Sequence, residues 1–169
     1  MGATQQGAHL TDKRWLTVSR TLCFLRNGDD ILLLRRAATA RIFPGKYNGV
    51  GGHIERGEDP LTCARREIRE ETALEANMLT LKAVYSIDAG APTGITVYVF
   101  LGEVASRDFR DSGEGMLQWV AISELSQFDL VDDLQIVLPR ILASPPGAQP
   151  LFIQMRYNQA DELVLNIVE

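Results

Sequence analysis

Short apolar runs, separated by polar and glycine-rich breaks, extend along most of the chain. Residues 15–25 and 31–34 are rich in β-branched, aromatic and leucine residues, and the turn-forming residues 27–30 separate them. We therefore predict a strand, a turn and a second strand here. Similar runs predict five more strands, at residues 78–87, 95–104, 116–120, 151–157 and 162–168. The turn-rich breaks at 88–94 and 158–161 favour one hairpin from the first two of these strands and another from the last two.

Apolar residues recur at helical spacing in two further stretches. The first begins near Asp59, whose carboxylate can accept hydrogen bonds from free helix amides, and Pro60, which suits the first helical position. Its apolar side consists of Leu61, Ala64 and Ile68. The second predicts a helix over residues 130–142 despite Pro139, and the sequence at 144–147 ends it.

The length and charge of the chain limit what it can be. With 169 residues, 46% of them apolar, it can form one domain with its own core, which we place at residues 14–169 after a polar, flexible tail at 1–13. A net charge of −5 offers no positive field for a nucleic acid polymer or an anionic membrane, but it is compatible with a small nucleotide held through a metal ion. Two cysteines give no disulfide framework, and the sequence shows neither a membrane span nor a secretory signal, so we expect a cytoplasmic protein.

The first predicted helix carries three glutamates on one side. Glu67, Glu70 and Glu71 stand at positions i, i+3 and i+4, and at roughly 100° per residue their carboxylates lie close together. A hard divalent cation such as Mg²⁺, which prefers oxygen ligands and commonly keeps waters and substrate phosphates in its coordination shell, would offset their repulsion. The alternative is a solvated acidic helix, which is the commoner explanation for a mixed run such as residues 66–71 taken alone.

The residues around this helix change the balance between the two interpretations. A glycine precedes the helix, a glutamate follows that glycine, and a run of charged and apolar residues occupies the helix at fixed spacing. Together these positions resemble the Nudix box, the signature of hydrolases that act on nucleoside diphosphates linked to another group; they are Gly52, Glu58, Arg66, Glu67, Ile68, Glu70, Glu71 and Leu74. The one departure is Ala73, where the family usually has glycine, and it concerns how the helix ends rather than a ligand position.

The resemblance implies a fold class and a set of site residues. The fold would be α/β, an α/β/α sandwich with a mixed β-sheet. An ion pair between Arg66 and Glu58 would orient the site. The implied ligands of Mg²⁺, or of Mn²⁺ in its place, are the Gly52 carbonyl, Glu67, Glu71 and, as a further or alternative ligand, Glu70.

Two other groups of polar residues have two possible roles each. Glu114 lies in a glycine-flanked loop where related enzymes often carry another carboxylate that binds metal or activates water, and the alternative is an exposed turn. The loop before the box is rich in cations, which either are solvated or reach phosphates beside the metal. These cations are Arg35, Arg36, Arg41 and Lys46.

Beyond the box, residues 46–52, residues 130–133 and the predicted terminal hairpin resemble the MutT-type subgroup of oxidised-purine nucleoside triphosphatases. This resemblance implies that Asn48, Asp132 and Asp133 read the edge of a purine. Asp132 and Asp133 could equally cap the second helix. Related pockets contain tryptophans where this chain has Tyr47 and Leu130, so base stacking would be weaker or differently selective.

These features together predict a metal-dependent pyrophosphohydrolase of a purine or oxidised-purine nucleoside triphosphate, which would release the nucleoside monophosphate and pyrophosphate. One alternative is a hydrolase of ADP-ribose or another substrate linked to a nucleoside diphosphate. Another is a sensor that binds a nucleotide without hydrolysing it, although the complete set of glutamates argues against this. We expect a small-molecule nucleotide as the partner, and a monomer or homodimer.

Overall fold

A computed structural model describes residues 14–111 and 113–168, and the predicted tail at 1–13 lies outside them. The described backbone forms an 8-stranded sheet and two α-helices. The helices are α1 (Pro60–Thr72) and α2 (Leu134–Ala143), and a short 3-10 helix covers Ile122–Gln127. The strands are β1 (Leu16–Asn27), β2 (Asp30–Arg36), β3 (Tyr47–Asn48), β4 (Met78–Asp88), β5 (Thr93–Glu103), β6 (Gly115–Ala121), β7 (Leu151–Tyr157) and β8 (Leu163–Val168). Neither helix in this part of the chain is long and apolar enough to cross a membrane.

The sheet combines the three predicted hairpins with two parallel contacts. Its order is β3-β2-β1-β5-β4-β7-β8, and β6 pairs with β2. The hairpins β1–β2, β4–β5 and β7–β8 are antiparallel, so these predictions are confirmed. Strands β1 and β5 are parallel, as are β4 and β7, which makes the sheet mixed. The hairpins are therefore joined side by side through the middle of the sheet.

Alternating residues of β1 form a core on each face of the sheet. Cys23 and Leu25 belong to the core that includes Ala64 and Ile68 of α1. The intervening Phe24 belongs to the core on the other face, which contains the buried residues of α2. Because successive strand residues point to opposite faces, the two helices cover opposite sides of the sheet. The predicted α/β/α sandwich with a mixed sheet is confirmed.

Helix α1 begins where the sequence predicts and ends in an unusual way. One carboxylate oxygen of Asp59 accepts hydrogen bonds from the amides of Leu61, at 2.8 Å, and Thr62, at 3.0 Å. At the other end Ala73 adopts a left-handed conformation, with φ at 58°, and its amide donates to the Arg69 carbonyl. This conformation normally favours glycine, so alanine ends the helix at a cost of roughly 1 kcal/mol.

Helix α2 begins four residues later than predicted, at Leu134 instead of 130, so that part of the prediction is wrong. The preceding residues pair with β3: the Tyr47 amide donates to the Asp129 carbonyl at 2.9 Å, and the Val131 amide donates to the Tyr47 carbonyl at 3.0 Å. This parallel bridge holds Leu130 beside Tyr47 in an extended conformation. The apolar spacing is helical, but tertiary pairing overrides it at this end.

Candidate active site

A cavity of about 750 Å³ opens between the sheet, the glycine-rich segment before α1 and the start of α2. Carboxylates of α1 line one end, and Asp133 at the start of α2 lines the other. Residues of β1, β4 and β5 form the floor between the two ends; among them are Arg20, Leu22, Tyr85 and Val97. One continuous volume therefore connects the two groups of residues that the sequence singled out.

The glycine-rich segment lies directly against the glutamates of α1. A β-carbon built on Gly52 would come within 2.3 Å of a carboxylate oxygen of Glu67, so a larger residue there would displace that carboxylate. The Gly51 amide donates to Glu71 Oε1 at 3.2 Å. The Gly52 carbonyl, an implied metal ligand, accepts a hydrogen bond from the Thr21 amide at 2.9 Å and keeps a second lone pair. Backbone and carboxylate oxygens thus meet at this end of the cavity.

Arg66 joins three carboxylates on the outer side of the helix. It binds Glu58 through two hydrogen bonds of 2.7 and 3.0 Å, as the resemblance implied, and Glu67 and Glu70 at 2.9 and 3.1 Å. The hydrogen bonds from Arg66 lower the pKa of Glu58 to about 2 and raise the pKa of Arg66 itself. Glu58 and Glu70 face this guanidinium and do not line the cavity, so Arg66 holds the carboxylate of Glu67 in place beside it.

Glu71 is the buried carboxylate of the site. Only 5% of the residue is exposed, and its Oε2 atom is buried without a hydrogen-bond partner among the described residues. Burial raises the pKa of the Glu71 carboxyl to about 8, the charges of Glu114 and Glu67 add to the rise, and the Gly51 amide and Arg36 oppose it. The free buried oxygen fits a cation, because a cation would replace the hydration that the carboxylate has lost.

The site also fits the small number of protein ligands that Mg²⁺ uses. No group of three or more acidic, histidine or cysteine side chains is arranged to hold a metal ion within the residues that the structure describes. Mg²⁺ is commonly bound by one or two carboxylates together with waters and substrate phosphates. Glu67 and Glu71 supply two carboxylates at the cavity wall, and Glu114, which is exposed in its loop, lines the same volume.

Asp133 forms the other end of the cavity. Only 8% of the residue is exposed, and its side chain makes no capping hydrogen bond to α2. Burial raises the pKa of the Asp133 carboxyl above its usual range, and the nearby Tyr85 hydroxyl opposes that rise. The Tyr85 hydroxyl is itself buried, close to Asp133 but without hydrogen-bond geometry to any described residue. Asn48 lines the cavity as well, and its side-chain oxygen accepts from the Gly49 amide at 2.9 Å.

The other residues predicted to bind the base lie outside the cavity wall. Asp132 is exposed and bonds to Lys46 at 2.6 Å, so the two neighbouring aspartates do not share one pocket. Tyr47 packs edge-on against Phe128, with 5.1 Å between ring centroids. Leu130 is 2% exposed and belongs to the core. Of the four loop cations, Arg36 alone lines the cavity within the described residues.

Sequence reasoning missed Arg20 and Tyr85, both in strands of the cavity floor. A signal for Arg20 exists: it lies two and four residues before Leu22 and Phe24, and thus on the face of β1 that points into a core. A charged residue at such a position is unusual unless it has a partner or a ligand. Tyr85 carries no comparable signal, because tyrosine is common in strands.

Comparisons with known proteins concern the family and the fold of this chain. A model of the NUDIX domain matches residues 16–141. The mouse (Mus musculus) oxidized purine nucleoside triphosphate hydrolase is 28% identical over 99 residues, which are 58% of this chain and 64% of that protein. An m7GpppN-mRNA hydrolase, NUDT17, of Xenopus laevis is 46% identical over 44 residues, 26% of this chain and 15% of that protein. The chain therefore spans less than two thirds of the length of either relative.

Solved structures show the same fold. The crystal structure of a mutator MutT protein from Bacillus halodurans superposes with a TM-score of 0.69 and 24% identity, over 89% of this chain and 97% of that one. The family model covers β1 to β6, α1, all but the last two residues of α2 and every carboxylate of the cavity end. The chain belongs to the Nudix family.

Proposed function

We propose that this protein hydrolyses a phosphoric anhydride bond in a purine nucleoside triphosphate and releases the nucleoside monophosphate and pyrophosphate. The observation that carries this proposal is the single cavity with Glu67 and Glu71 at one end and Asp133 at the other. Such a cavity suits a ligand with a metal-bound phosphate chain on one side and a polar heterocycle on the other. The mouse relative is named for hydrolysis of oxidised purine nucleoside triphosphates, which agrees with this substrate class.

The carboxylate end would carry the chemistry. Glu67 and Glu71 would hold Mg²⁺, or Mn²⁺ in its place, and the ion would neutralise phosphate charge and lower the pKa of an attacking water. Arg66 keeps Glu67 at the wall through their 2.9 Å hydrogen bond. Glu114 faces the same volume as the further carboxylate, available to the metal or to the water.

Arg36 is placed to bind phosphate. Its Nε atom donates to the Ile42 carbonyl at 2.8 Å, which fixes the side chain and leaves the terminal nitrogens free of described partners. Its charge acts on Glu71, so it lies close to the carboxylate end. A fixed guanidinium can bind two phosphate oxygens at once.

The Asp133 end would recognise the base. A carboxyl whose pKa is raised by burial can be protonated and donate a hydrogen bond, or be ionised and accept one. Asn48 uses its side-chain oxygen locally, so its amide nitrogen remains available as a donor. Apolar residues including Phe43 and Ile87 line the same cavity and can pack on the faces of a ring. Asp132 pairs with Lys46 instead, so we assign base recognition to Asp133 and Asn48.

A substrate panel tests the proposal. Product release is measured with Mg²⁺ for canonical and 8-oxo nucleoside triphosphates, ADP-ribose, a capped dinucleotide and dinucleoside polyphosphates. We expect fastest turnover of a purine nucleoside triphosphate. Faster turnover of ADP-ribose or of the capped dinucleotide would show that the substrate is not a nucleoside triphosphate. Tight binding of one of these compounds, with turnover of none, would identify a sensor.

A matched pair of variants ties the activity to the site. Glu71→Gln removes the buried carboxylate and is expected to abolish most turnover while the protein stays folded. Glu75→Gln changes an exposed glutamate just beyond α1, whose only described ion pair is with Arg69 at 3.7 Å, and serves as the control. Parental activity in Glu71→Gln under saturating Mg²⁺ would remove Glu71 from the site.

A further inference from the structure

Arg20 is a charged residue on the inward face of a central strand. It lies in β1, two residues before Leu22 and four before Phe24. Phe24 is completely buried, and Leu22 packs against the same core. Side chains at this spacing share one face of a strand, so the guanidinium is directed to the side of the sheet where the cavity lies. Arg20 is indeed part of the cavity lining.

The guanidinium has no partner in the part of the chain that the structure describes. Its Nε atom is buried without a hydrogen bond, and the described ion pairs do not include it. By contrast, Arg66 binds three carboxylates, and Arg36 is fixed by a carbonyl. An unpaired cationic donor at a half-buried position is costly, and an anionic ligand would remove that cost.

Strand register places Arg20 between the two ends of the cavity. Arg20 stands opposite His53, the residue after Gly52. Two backbone hydrogen bonds flank this pair, one from the Thr21 amide to the Gly52 carbonyl and one from the Ile54 amide to the Ser19 carbonyl. Directly opposed residues of this kind are about 4.5 Å apart at their α-carbons. His53, the residue opposite Arg20, directly follows Gly52, and the backbone of Gly52 lies against the Glu67 carboxylate.

On its other side Arg20 pairs with Val97 of β5, and Val97 pairs with Tyr85 of β4. With strands about 4.8 Å apart, Arg20 and Tyr85 are separated by roughly 10 Å across the floor. Tyr85 lies beside Asp133, which marks the end assigned to the base. A nucleotide that spans the cavity would place its sugar and first phosphate over Arg20.

We propose that Arg20 binds the phosphate nearest the sugar, the α-phosphate, through its guanidinium. This inference rests on the proposed nucleotide substrate and adds a residue that distinguishes nucleotides from nucleosides. The α-phosphate stays on the monophosphate product, so Arg20 would contribute to binding of both substrate and product. Neither free pyrophosphate nor a nucleoside would use the contact.

The test compares the binding of a nucleotide and its nucleoside by isothermal titration calorimetry with Mg²⁺, using dGMP and deoxyguanosine. Arg20→Gln should weaken dGMP binding about 10- to 100-fold, the usual value of a charge-assisted contact, and leave deoxyguanosine binding unchanged. Arg20→Lys keeps the charge but not the two-point geometry, and should fall between Arg20→Gln and the parent. Arg26→Gln, in the same strand but outside the cavity lining, is the matched control and should bind as the parent does.

Two further readouts keep the inference separate from folding and from the proposed substrate. Because Arg20 lacks a described partner and its unpaired charge is costly, Arg20→Gln should keep or raise the parental melting temperature. Equal loss of dGMP and deoxyguanosine binding, or parental dGMP binding in Arg20→Gln, would overturn the inference. If the parent protein binds neither dGMP nor deoxyguanosine, guanine is not the base that the pocket accepts. The same comparison is then made with AMP and adenosine, and the same criteria decide the role of Arg20. Absence of binding to all four compounds would overturn the inference about Arg20, whereas the proposed function is decided by turnover in the substrate panel.

Discussion

Replacing Glu71 by glutamine should stabilise the metal-free protein at alkaline pH. Burial raises the pKa of the Glu71 carboxyl to about 8, whereas the same group in an unfolded chain has an ordinary value near 4.5. Between these two values the folded protein holds a proton that the unfolded chain has released. Unfolding therefore releases a proton, and the free energy of unfolding falls as the pH rises through this window. Glutamine cannot ionise, so the variant lacks this contribution.

The size of the effect follows from the width of the window. Each pH unit between the two pKa values contributes about 1.4 kcal/mol, so Glu71 ionisation costs roughly 3 to 5 kcal/mol at pH 9. The comparison is urea unfolding in EDTA at pH 5 and pH 9 for the parent, Glu71→Gln and the exposed control Glu75→Gln. We expect the parent and the control to lose several kcal/mol more than Glu71→Gln between the two conditions.

Mg²⁺ completes the experiment. At pH 9 the ion should stabilise the parent and the Glu75→Gln control by binding the ionised site, and should stabilise Glu71→Gln far less. If the parent and Glu71→Gln lose stability equally with rising pH in EDTA, the charge of Glu71 is already compensated in the metal-free fold. The electrostatic reason for placing a cation at Glu71 would then be wrong.

Three other outcomes are expected. Asp133→Asn should change the ratio of kcat/KM between 8-oxo and ordinary purine triphosphates by about tenfold to a hundredfold, without altering the dependence on Mg²⁺. If the variant instead hydrolyses both substrates more slowly by the same factor and has a lower Tm, Asp133 has a structural role. Ala73→Gly should raise the free energy of unfolding by about 1 kcal/mol in urea titrations, because glycine adopts the left-handed conformation at the helix end without strain. An unchanged free energy of unfolding would mean that the backbone of Ala73 is not strained. The pH profile of kcat/KM should rise from acid toward alkaline pH as the carboxylates and the water ionise, and a maximum below about pH 6 would contradict this role of the carboxylates.

The first helix could be predicted because its determinants are local. Asp59 and Pro60 fix the start, and the start fixes which side of the helix carries the glutamates. The contact of Arg66 with Glu58 was expected from the family resemblance, and it joins residues only 8 positions apart. Local spacing does not determine which glutamate faces the cavity, because this depends on where the glycine-rich segment lies. Spacing alone therefore did not separate Glu71, which is buried, from Glu70, which is exposed; the family resemblance ranked Glu70 as a further or alternative ligand.

The far end of the cavity depends on contacts between distant segments. Residues 130–131 are extended because they pair with β3, more than 80 positions earlier in the chain, and no periodicity within 130–142 indicates this. The same pairing separates Asp132 from Asp133, although the two are adjacent in sequence. Arg20 and Tyr85 enter the site only through the register of β1 and β4 with β5. These features require tertiary structure because their partners are not sequence neighbours.

The parallel pairing of β1 with β5 has a consequence for how the chain folds. The Asn27 side chain at the end of β1 bonds to the Val104 carbonyl at 2.8 Å, across 77 positions of sequence. Both β2 and β5 flank β1, so the first hairpin has an open edge until β5 has been synthesised and docked. Closing so long a loop is slow, since its entropy is lost before the strand contacts form. Helix α1 lies within that loop, so the segment that carries the carboxylate end of the cavity is also the segment whose freedom the pairing of β1 with β5 restricts.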